Sequence, residues 1–150
     1  MDFENTLTIA VDFDGTIVEH KFPQIGKEML FAFQTLKSLH EKGHRIILWT
    51  FRHGLALDEA VEYCQKNGLE FYAINRSHPD ENFDPKEASR KLEADLFIDD
   101  RNFGGFPGWG RIWALIYPEG DPNKVNYQPI YPEDHYNKSP KKGILKRLFP

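Results

Sequence analysis

Four aspartates stand in two pairs, each at the end of an apolar run. Asp12 and Asp14 end the stretch TLTIAVDFD, just before Gly15, and Asp99 and Asp100 end the stretch DLFIDD. Residues two apart in an extended segment point to the same side, so Asp12 and Asp14 can face one site. Carboxylates held together repel one another unless a cation lies between them, and Mg²⁺ prefers such oxygen ligands. A metal ringed by carboxylates suits phosphoryl transfer, in which a carboxylate can itself attack phosphorus.

Four predicted strands alternate with helical segments, and this alternation indicates how the acids are positioned. The strands are expected at 6–13, 44–50, 69–75 and 95–100. Apolar residues at helical spacing predict helices within 26–43 and 57–68, the capping pattern DPKE predicts a helix from Asp84, and 109–117 fits a helix or a strand. The pattern predicts an α/β fold: a doubly wound, mainly parallel sheet sandwiched by helices.

Ligands of such sheets bind beyond the carboxyl ends of the strands. That rule adds Thr50, after the second strand, and Asn75, after the third. Thr50 by itself could be a simple strand former, and for Asn75 ordinary turn chemistry is the favoured interpretation. Arg52 and Arg101 follow the second and fourth strands, where each could reach a phosphate or pair with nearby acids.

Three of these segments resemble sequence motifs of one enzyme superfamily. VDFDGTI resembles the first motif of the haloacid dehalogenase-like phosphatases, ILWTFR the second, and LFIDDRN the acidic fourth. The resemblance implies a Rossmann-like core in which Asp12 is the nucleophile and Asp14 is the general acid that protonates the leaving oxygen. It implies that Thr50 hydrogen-bonds the phosphoryl group. It also implies Mg²⁺ ligation by Asp12, the Asp14 backbone carbonyl and Asp100, with Asp99 close by or bridged by water.

The third motif of that superfamily is a lysine, and two lysines compete for the role. Lys91, in SRKLEAD, lies shortly before the acidic fourth strand and is the preferred candidate. Lys86, in the first turn of the helix predicted from Asp84, is the alternative. Arg52 is a further candidate for binding the phosphate.

The spacing of the motifs leaves no room for an inserted cap domain. One helix and one strand fit between Asp14 and Thr50, and one helix, one strand and a loop fit between Thr50 and Lys91. The resemblance is therefore to a capless member, whose open site admits large substrates or is covered by a neighbouring subunit of a homo-oligomer. The segment TIVEHKFPQIG (16–26), here called the flap, would lie near the entrance, with Phe22 and Pro23 as surface contacts.

Composition limits the remaining possibilities. The 150 residues, 40% apolar and 28% charged with a net charge of −4, indicate one globular domain and no strong nucleic-acid signal. We expect a core at 1–117 and an irregular, proline-rich extension with a basic end at 118–150. A single cysteine, Cys64, expected in the core, excludes an intramolecular disulfide and a four-thiolate zinc site. His20 and His53 are expected to be solvated. No apolar run is long enough to span a membrane, so a cytoplasmic protein is expected.

The sequence thus predicts a Mg²⁺-dependent phosphohydrolase that acts through an aspartyl-phosphate on Asp12. Its substrate would be a phosphorylated small molecule or the phosphorylated end of a macromolecule. The alternatives are a metal-binding module with little turnover and a phosphoryl-accepting switch. Asp14 favours the enzyme, because an acid that speeds departure of the leaving group is of no use to a switch.

Overall fold

A four-stranded parallel sheet carries the fold. The computed structural model describes residues 6–118, in which the elements are β1 (Thr8–Val11), α1 (Ala32–Glu41), β2 (Arg45–Leu48), α2 (Gly54–Lys66), β3 (Ala73–Ile74), β4 (Leu96–Ile98) and α3 (Trp109–Ile116). The strand order is β3-β2-β1-β4, and every neighbouring pair is parallel. The predicted α/β class is confirmed, and the predicted absence of a cap holds for the described residues.

β1 is central and buried on both faces, as its unbroken apolar sequence predicts. Ile9, Ala10 and Val11 are each at most 1% exposed. Ile9 and Val11 belong to the larger apolar cluster, which contains the buried residues of all three helices, whereas Ala10 packs with Ile47 on the opposite face. Hydrophobic burial on both faces therefore fixes the strand that leads directly into Asp12.

The second face of the sheet is covered in the described residues by an irregular segment. Leu92 packs there against Ala10, Ile47 and Ala73. The prediction of a helix from Asp84 is wrong, because only a single turn forms there. The Asp84 carboxylate accepts the Lys86 N–H at 2.8 Å and caps that turn. That segment has no stripe of buried apolar residues, and without one a short helix lacks the packing that stabilises it.

The observed helices differ in part from the predicted ones. α1 starts at Ala32, later than predicted. The Met29 N–H donates to the Ile17 carbonyl at 2.9 Å, so Met29 lies outside the helix. α1 ends before Gly43, whose φ of +90° is a left-handed conformation that favours glycine. The segment that fitted either a helix or a strand is helix α3, which buries Trp109 and Ile116.

The described residues bear on the expected lack of a membrane span and on the expected burial of Cys64, but not on the C-terminal extension. No helix among residues 6–118 is long and apolar enough to cross a membrane. Beyond Pro118, the predicted proline-rich extension lies outside the described residues. Cys64 is fully buried, as expected, and this burial raises the pKa of its thiol to about 12.

Candidate functional site

A pocket of about 560 Å³ opens at the carboxyl ends of the strands. It contains seven of the residues that the sequence singled out for catalysis, metal binding or phosphate binding. Its full lining is Asp12, Asp14, His20, Phe22, Trp49, Thr50, Phe51, Arg52, Asp99, Asp100 and Arg101. The rule that parallel sheets place ligands beyond their carboxyl ends therefore located the pocket correctly.

The ladder of β1 continues into the pocket and positions Asp12. The Asp12 N–H donates to the Ile98 carbonyl at 2.9 Å, and the Trp49 N–H donates to the Val11 carbonyl at 2.8 Å. These bonds join the ends of β4 and β2 to the end of β1. Asp12 therefore lies beside the residues that follow Ile98, which are Asp99 and Asp100.

Asp12, Asp99 and Asp100 form a half-buried acidic cluster. One carboxylate oxygen from each lies within 4.8 Å of the others. Burial raises the pKa of Asp12 to about 8; a backbone hydrogen bond at Phe13 opposes this rise, while Asp99 and Asp100 add to it. The ionised form of Asp12 is therefore costly unless a positive charge compensates it.

The cluster fits a hard divalent cation. Its donors are all carboxylate oxygens, the ligands that Mg²⁺ and Ca²⁺ prefer. Gly15 makes room for the cluster, because a Cβ at this position would collide with Asp100 Oδ2. Its φ of +81° also favours glycine. The three acids predicted as metal ligands are thus brought together.

Thr16 fixes Asp100 and was missed by the sequence reasoning. Its side-chain oxygen accepts the Asp100 N–H at 3.1 Å, and its carbonyl accepts the Trp109 Nε1–H at 2.8 Å. Thr16 is fully buried. The available signal was its place directly after DFDG, where a hydroxyl reaches across to the second acidic pair.

Asp14 has a different environment from the other three acids. Arg52 donates from Nε to Asp14 Oδ2 and from Nη2 to Asp14 Oδ1, both at 2.7 Å. Its remaining N–H groups donate to the carbonyls of Pro23, Gln24 and Ala56. All five guanidinium donors are therefore engaged within the protein. The expected contact of Arg52 with a phosphate is not available in this arrangement.

Thr50 is held so that its hydroxyl can donate into the pocket. Its N–H donates to Asn75 Oδ1 at 2.8 Å, and its Oγ1 accepts the Arg52 N–H at 3.1 Å. Because Oγ1 is the acceptor of that bond, the hydroxyl proton remains for another partner. Asn75 adopts φ 53° and supports Thr50, a positioning role beyond the turn chemistry that the sequence favoured.

Neither predicted lysine lines the pocket. Lys86 lies in the single turn after Asp84, and Lys91 precedes the buried Leu92; both side chains are exposed. Arg101 does line the pocket, 80% exposed, with its Nε 3.9 Å from Asp100 Oδ2. The structure therefore brings an exposed arginine, rather than either lysine, to the acidic cluster.

The rim of the pocket is aromatic, which the sequence analysis recognised only in part. Phe22, expected near the entrance, is 47% exposed, and Phe51 is 93% exposed. Trp49 and His20 also line the pocket, so His20 contributes to the site although it was expected to be simply solvated. His53 is exposed, immediately before α2.

Comparison with known proteins identifies a relative without naming an activity. No protein-family model and no curated protein matches the chain. The solved structure of a conserved protein from Bacteroides thetaiotaomicron matches with 57% sequence identity and a TM-score of 0.71. The match covers 76% of this chain and 92% of that one. That protein is described only as conserved, so the similarity supports the fold and leaves the chemistry to the site.

Proposed function

This chain belongs to the same family as the conserved Bacteroides thetaiotaomicron protein, for which no activity is stated. We therefore propose, from the site itself, that the protein is a Mg²⁺-dependent phosphohydrolase. The observation that carries the proposal is the half-buried cluster of Asp12, Asp99 and Asp100 at the carboxyl end of the sheet. The resemblance of the chain's sequence motifs to those of the haloacid dehalogenase-like phosphatases supports the same chemistry.

In the proposed reaction, a carboxylate oxygen of Asp12 attacks the phosphorus atom of a phosphomonoester. A new bond forms between this oxygen and phosphorus, the bond to the leaving oxygen breaks, and Asp14 protonates that oxygen. Water then attacks the phosphorus of the aspartyl-phosphate, Asp14 accepts the proton of the water, and the bond between the Asp12 oxygen and phosphorus breaks. Inorganic phosphate leaves, and the Asp12 carboxylate is regenerated.

The remaining residues bind the phosphoryl group and the cation. Mg²⁺ would be held by Asp12, Asp100 and the backbone carbonyl of Asp14, with Asp99 directly or through water, and would neutralise charge on the phosphoryl oxygens. The Thr50 hydroxyl would donate to one of these oxygens. Lys91, or Lys86 in its place, would add a positive charge if the segment after β3 closes towards the pocket on substrate binding.

Hydrolysis of a panel of phosphomonoesters tests this proposal. The panel contains sugar phosphates, nucleotides and 3′-phosphorylated oligonucleotides, each assayed with Mg²⁺ and with chelator. We expect Mg²⁺-dependent release of phosphate that Asp12→Asn abolishes. Asp95→Asn is the matched control, because this exposed aspartate lies at the opposite end of β4, where its carboxylate accepts the Thr8 N–H. Undiminished activity in Asp12→Asn would reject the nucleophile.

One observation favours the metal-binding module with little turnover. Both oxygens of Asp14 are engaged by Arg52, which opposes proton transfer from Asp14 unless one bond is released. If the protein binds Mg²⁺ but hydrolyses no phosphomonoester of the panel, the result would support the metal-binding module. Stable phosphorylation of Asp12 without release of phosphate would support the phosphoryl-accepting switch.

A further inference from the structure

We propose that Arg52 is a positioning residue: it holds the Asp14 carboxyl group at the pocket rather than binding the phosphate itself, and it keeps one of its two bonds to Asp14 when the other is released for proton transfer. The proposal rests on the proposed function, in which Asp14 transfers a proton. It replaces the role in phosphate binding that the sequence suggested for Arg52, and it makes a distinct kinetic prediction.

The contact between the two side chains fixes a direction as well as a distance. Two parallel hydrogen bonds of 2.7 Å, from Nε and from Nη2, reach the two oxygens of Asp14. A planar guanidinium that binds both oxygens sets the plane of the carboxylate, which a single ammonium contact does not. Rotation of the Asp14 side chain would break at least one of these bonds.

The guanidinium is itself held by two separate parts of the chain. Nη1 donates to the Pro23 carbonyl at 3.0 Å and to the Ala56 carbonyl at 3.3 Å, and Nη2 donates to the Gln24 carbonyl at 2.8 Å. Pro23 and Gln24 belong to the flap, and Ala56 lies in the first turn of α2. Arg52 therefore joins the flap and α2 to Asp14.

Burial and aromatic packing complete this support. Arg52 is only 1% exposed, and its guanidinium carbon lies 4.9 Å from the ring centroid of Phe13 and 5.2 Å from that of Phe22. Cations on aromatic faces are stabilised in such positions. A guanidinium with five engaged donors and two aromatic neighbours would lose these contacts by turning to a phosphate, so it acts through Asp14.

The dependence of rate on the leaving group distinguishes positioning from general support of the fold. Glycerol 2-phosphate releases an alkoxide unless an acid protonates it, whereas 4-nitrophenyl phosphate releases a stable phenolate. General acid catalysis contributes about 10²–10⁴-fold where it is needed. A residue that positions the acid therefore matters more for the alkyl ester than for the aryl ester.

The experiment measures kcat/KM with Mg²⁺ for both esters in Arg52→Gln, Arg52→Lys, Asp14→Asn and the double variant Asp14→Asn/Arg52→Gln. We expect Arg52→Gln to lose at least about tenfold more activity on glycerol 2-phosphate than on 4-nitrophenyl phosphate, as Asp14→Asn does. The double variant should be no worse than Asp14→Asn, because the two residues act as a unit. Arg45→Gln, at the amino end of β2, is the control and should leave both rates unchanged.

Each outcome decides the proposal. Equal losses on both esters, a gain of activity on glycerol 2-phosphate in Arg52→Gln, or multiplied losses in the double variant would overturn the positioning role while leaving the phosphohydrolase intact. No turnover by the wild-type protein would overturn both. If Arg52→Gln fails to fold, Arg52→Lys, which keeps the charge but not the two-point contact, gives the same comparison. Failure of both variants to fold would make Arg52 a structural residue and would also overturn the proposal.

Discussion

At the scale of single residues, four similar aspartates are divided into two electrostatic environments. Asp12, Asp99 and Asp100 face one another, whereas Asp14 is paired with the buried Arg52. The sequence suggested that a cation would relieve the repulsion among all four side chains. The structure shows that an arginine already does so for one of them, which leaves three carboxylates for a metal.

The raised pKa of Asp12 predicts how stability depends on pH in chelator. The pKa rises from 3.8 to about 8 on folding, mainly through burial. Between these values the folded protein retains a proton that the unfolded chain has lost, so the contribution of Asp12 to the free energy of unfolding decreases as the pH rises. Asp12→Asn should lack this decrease, and in wild-type protein Mg²⁺ should reverse it.

Urea unfolding of both proteins at about pH 5 and about pH 8, with chelator and with Mg²⁺, measures this difference. An identical pH dependence for wild type and Asp12→Asn would show that Asp12 ionises normally in the folded protein. The same data would report whether Mg²⁺ stabilises the wild type more than the variant, as binding to Asp12 requires.

At the scale of elements, the turn after β1 determines whether the two acidic pairs can meet. The chain turns at Gly15 with φ +81°, and Asp100 occupies the space that a Cβ at this position would take. Thr16, the next residue, accepts the Asp100 N–H. The turn therefore joins the end of β1 to the residues after β4, and its glycine is required for both backbone conformation and close approach.

Gly15→Ala should weaken the metal site as well as the fold. Gly43→Ala is a matched control, because Gly43 also has a positive φ, of +90°, but a Cβ there would meet no atom within 4 Å. Each substitution should cost about 1–2 kcal/mol of backbone strain. Only Gly15→Ala should also lose the stabilisation by Mg²⁺, since its Cβ displaces Asp100.

Thermal unfolding of both glycine variants with and without Mg²⁺ separates these effects. Equal stabilisation by Mg²⁺ in Gly15→Ala and Gly43→Ala would show that Asp100 does not contribute to cation binding, or that it moves without loss of affinity.

At the scale of the whole molecule, a buried histidine joins the amino ends of β1 and β2 to the end of helix α3. His44 Nδ1 accepts the Leu7 N–H at 3.0 Å, so the proton of the neutral ring lies on Nε2, which donates to the Tyr117 hydroxyl at 2.8 Å. His44 is 3% exposed. This network holds α3, and with it the Trp109 bond to Thr16, in place relative to the sheet.

Acid should destabilise the protein through His44. Burial, with a smaller contribution from Lys42, lowers the pKa of His44 below its ordinary value of 6.5. As the pH falls below about 6.5 the unfolded chain binds a proton before the folded protein does, so the contribution of His44 to the free energy of unfolding decreases. Protonation of Nδ1 would also break the bond from Leu7.

His44→Gln should show a smaller loss of stability between about pH 7 and about pH 5.5 than the wild type in urea unfolding. Tyr117→Phe should cost about 1 kcal/mol, the value of one hydrogen bond, while retaining most of the pH dependence because the ring stays buried. A wild-type protein whose stability changes no more than that of His44→Gln over this range would rule out the histidine as the cause.

The sequence by itself determined the features that depend on local pattern. Apolar runs predicted all four strands and the α/β class, and the position of the acids after two of these runs predicted that they would meet at one edge. The strands are shorter than predicted, yet the site is unaffected because parallel strands share their carboxyl edge. Asp12, Asp99 and Asp100 could therefore be assigned to one cluster before the fold was known.

Only the tertiary structure decided which partners these residues have. Arg52 and Asp14 are 38 residues apart, and Thr16 and Asp100 are 84 apart. No local pattern reveals that Arg52 is buried or that its five donors are engaged. The helix predicted from Asp84 had a good local cap but no apolar face to pack, so tertiary context overrode the signal. Local propensity specifies elements, whereas burial and long-range hydrogen bonds assign the roles of their side chains.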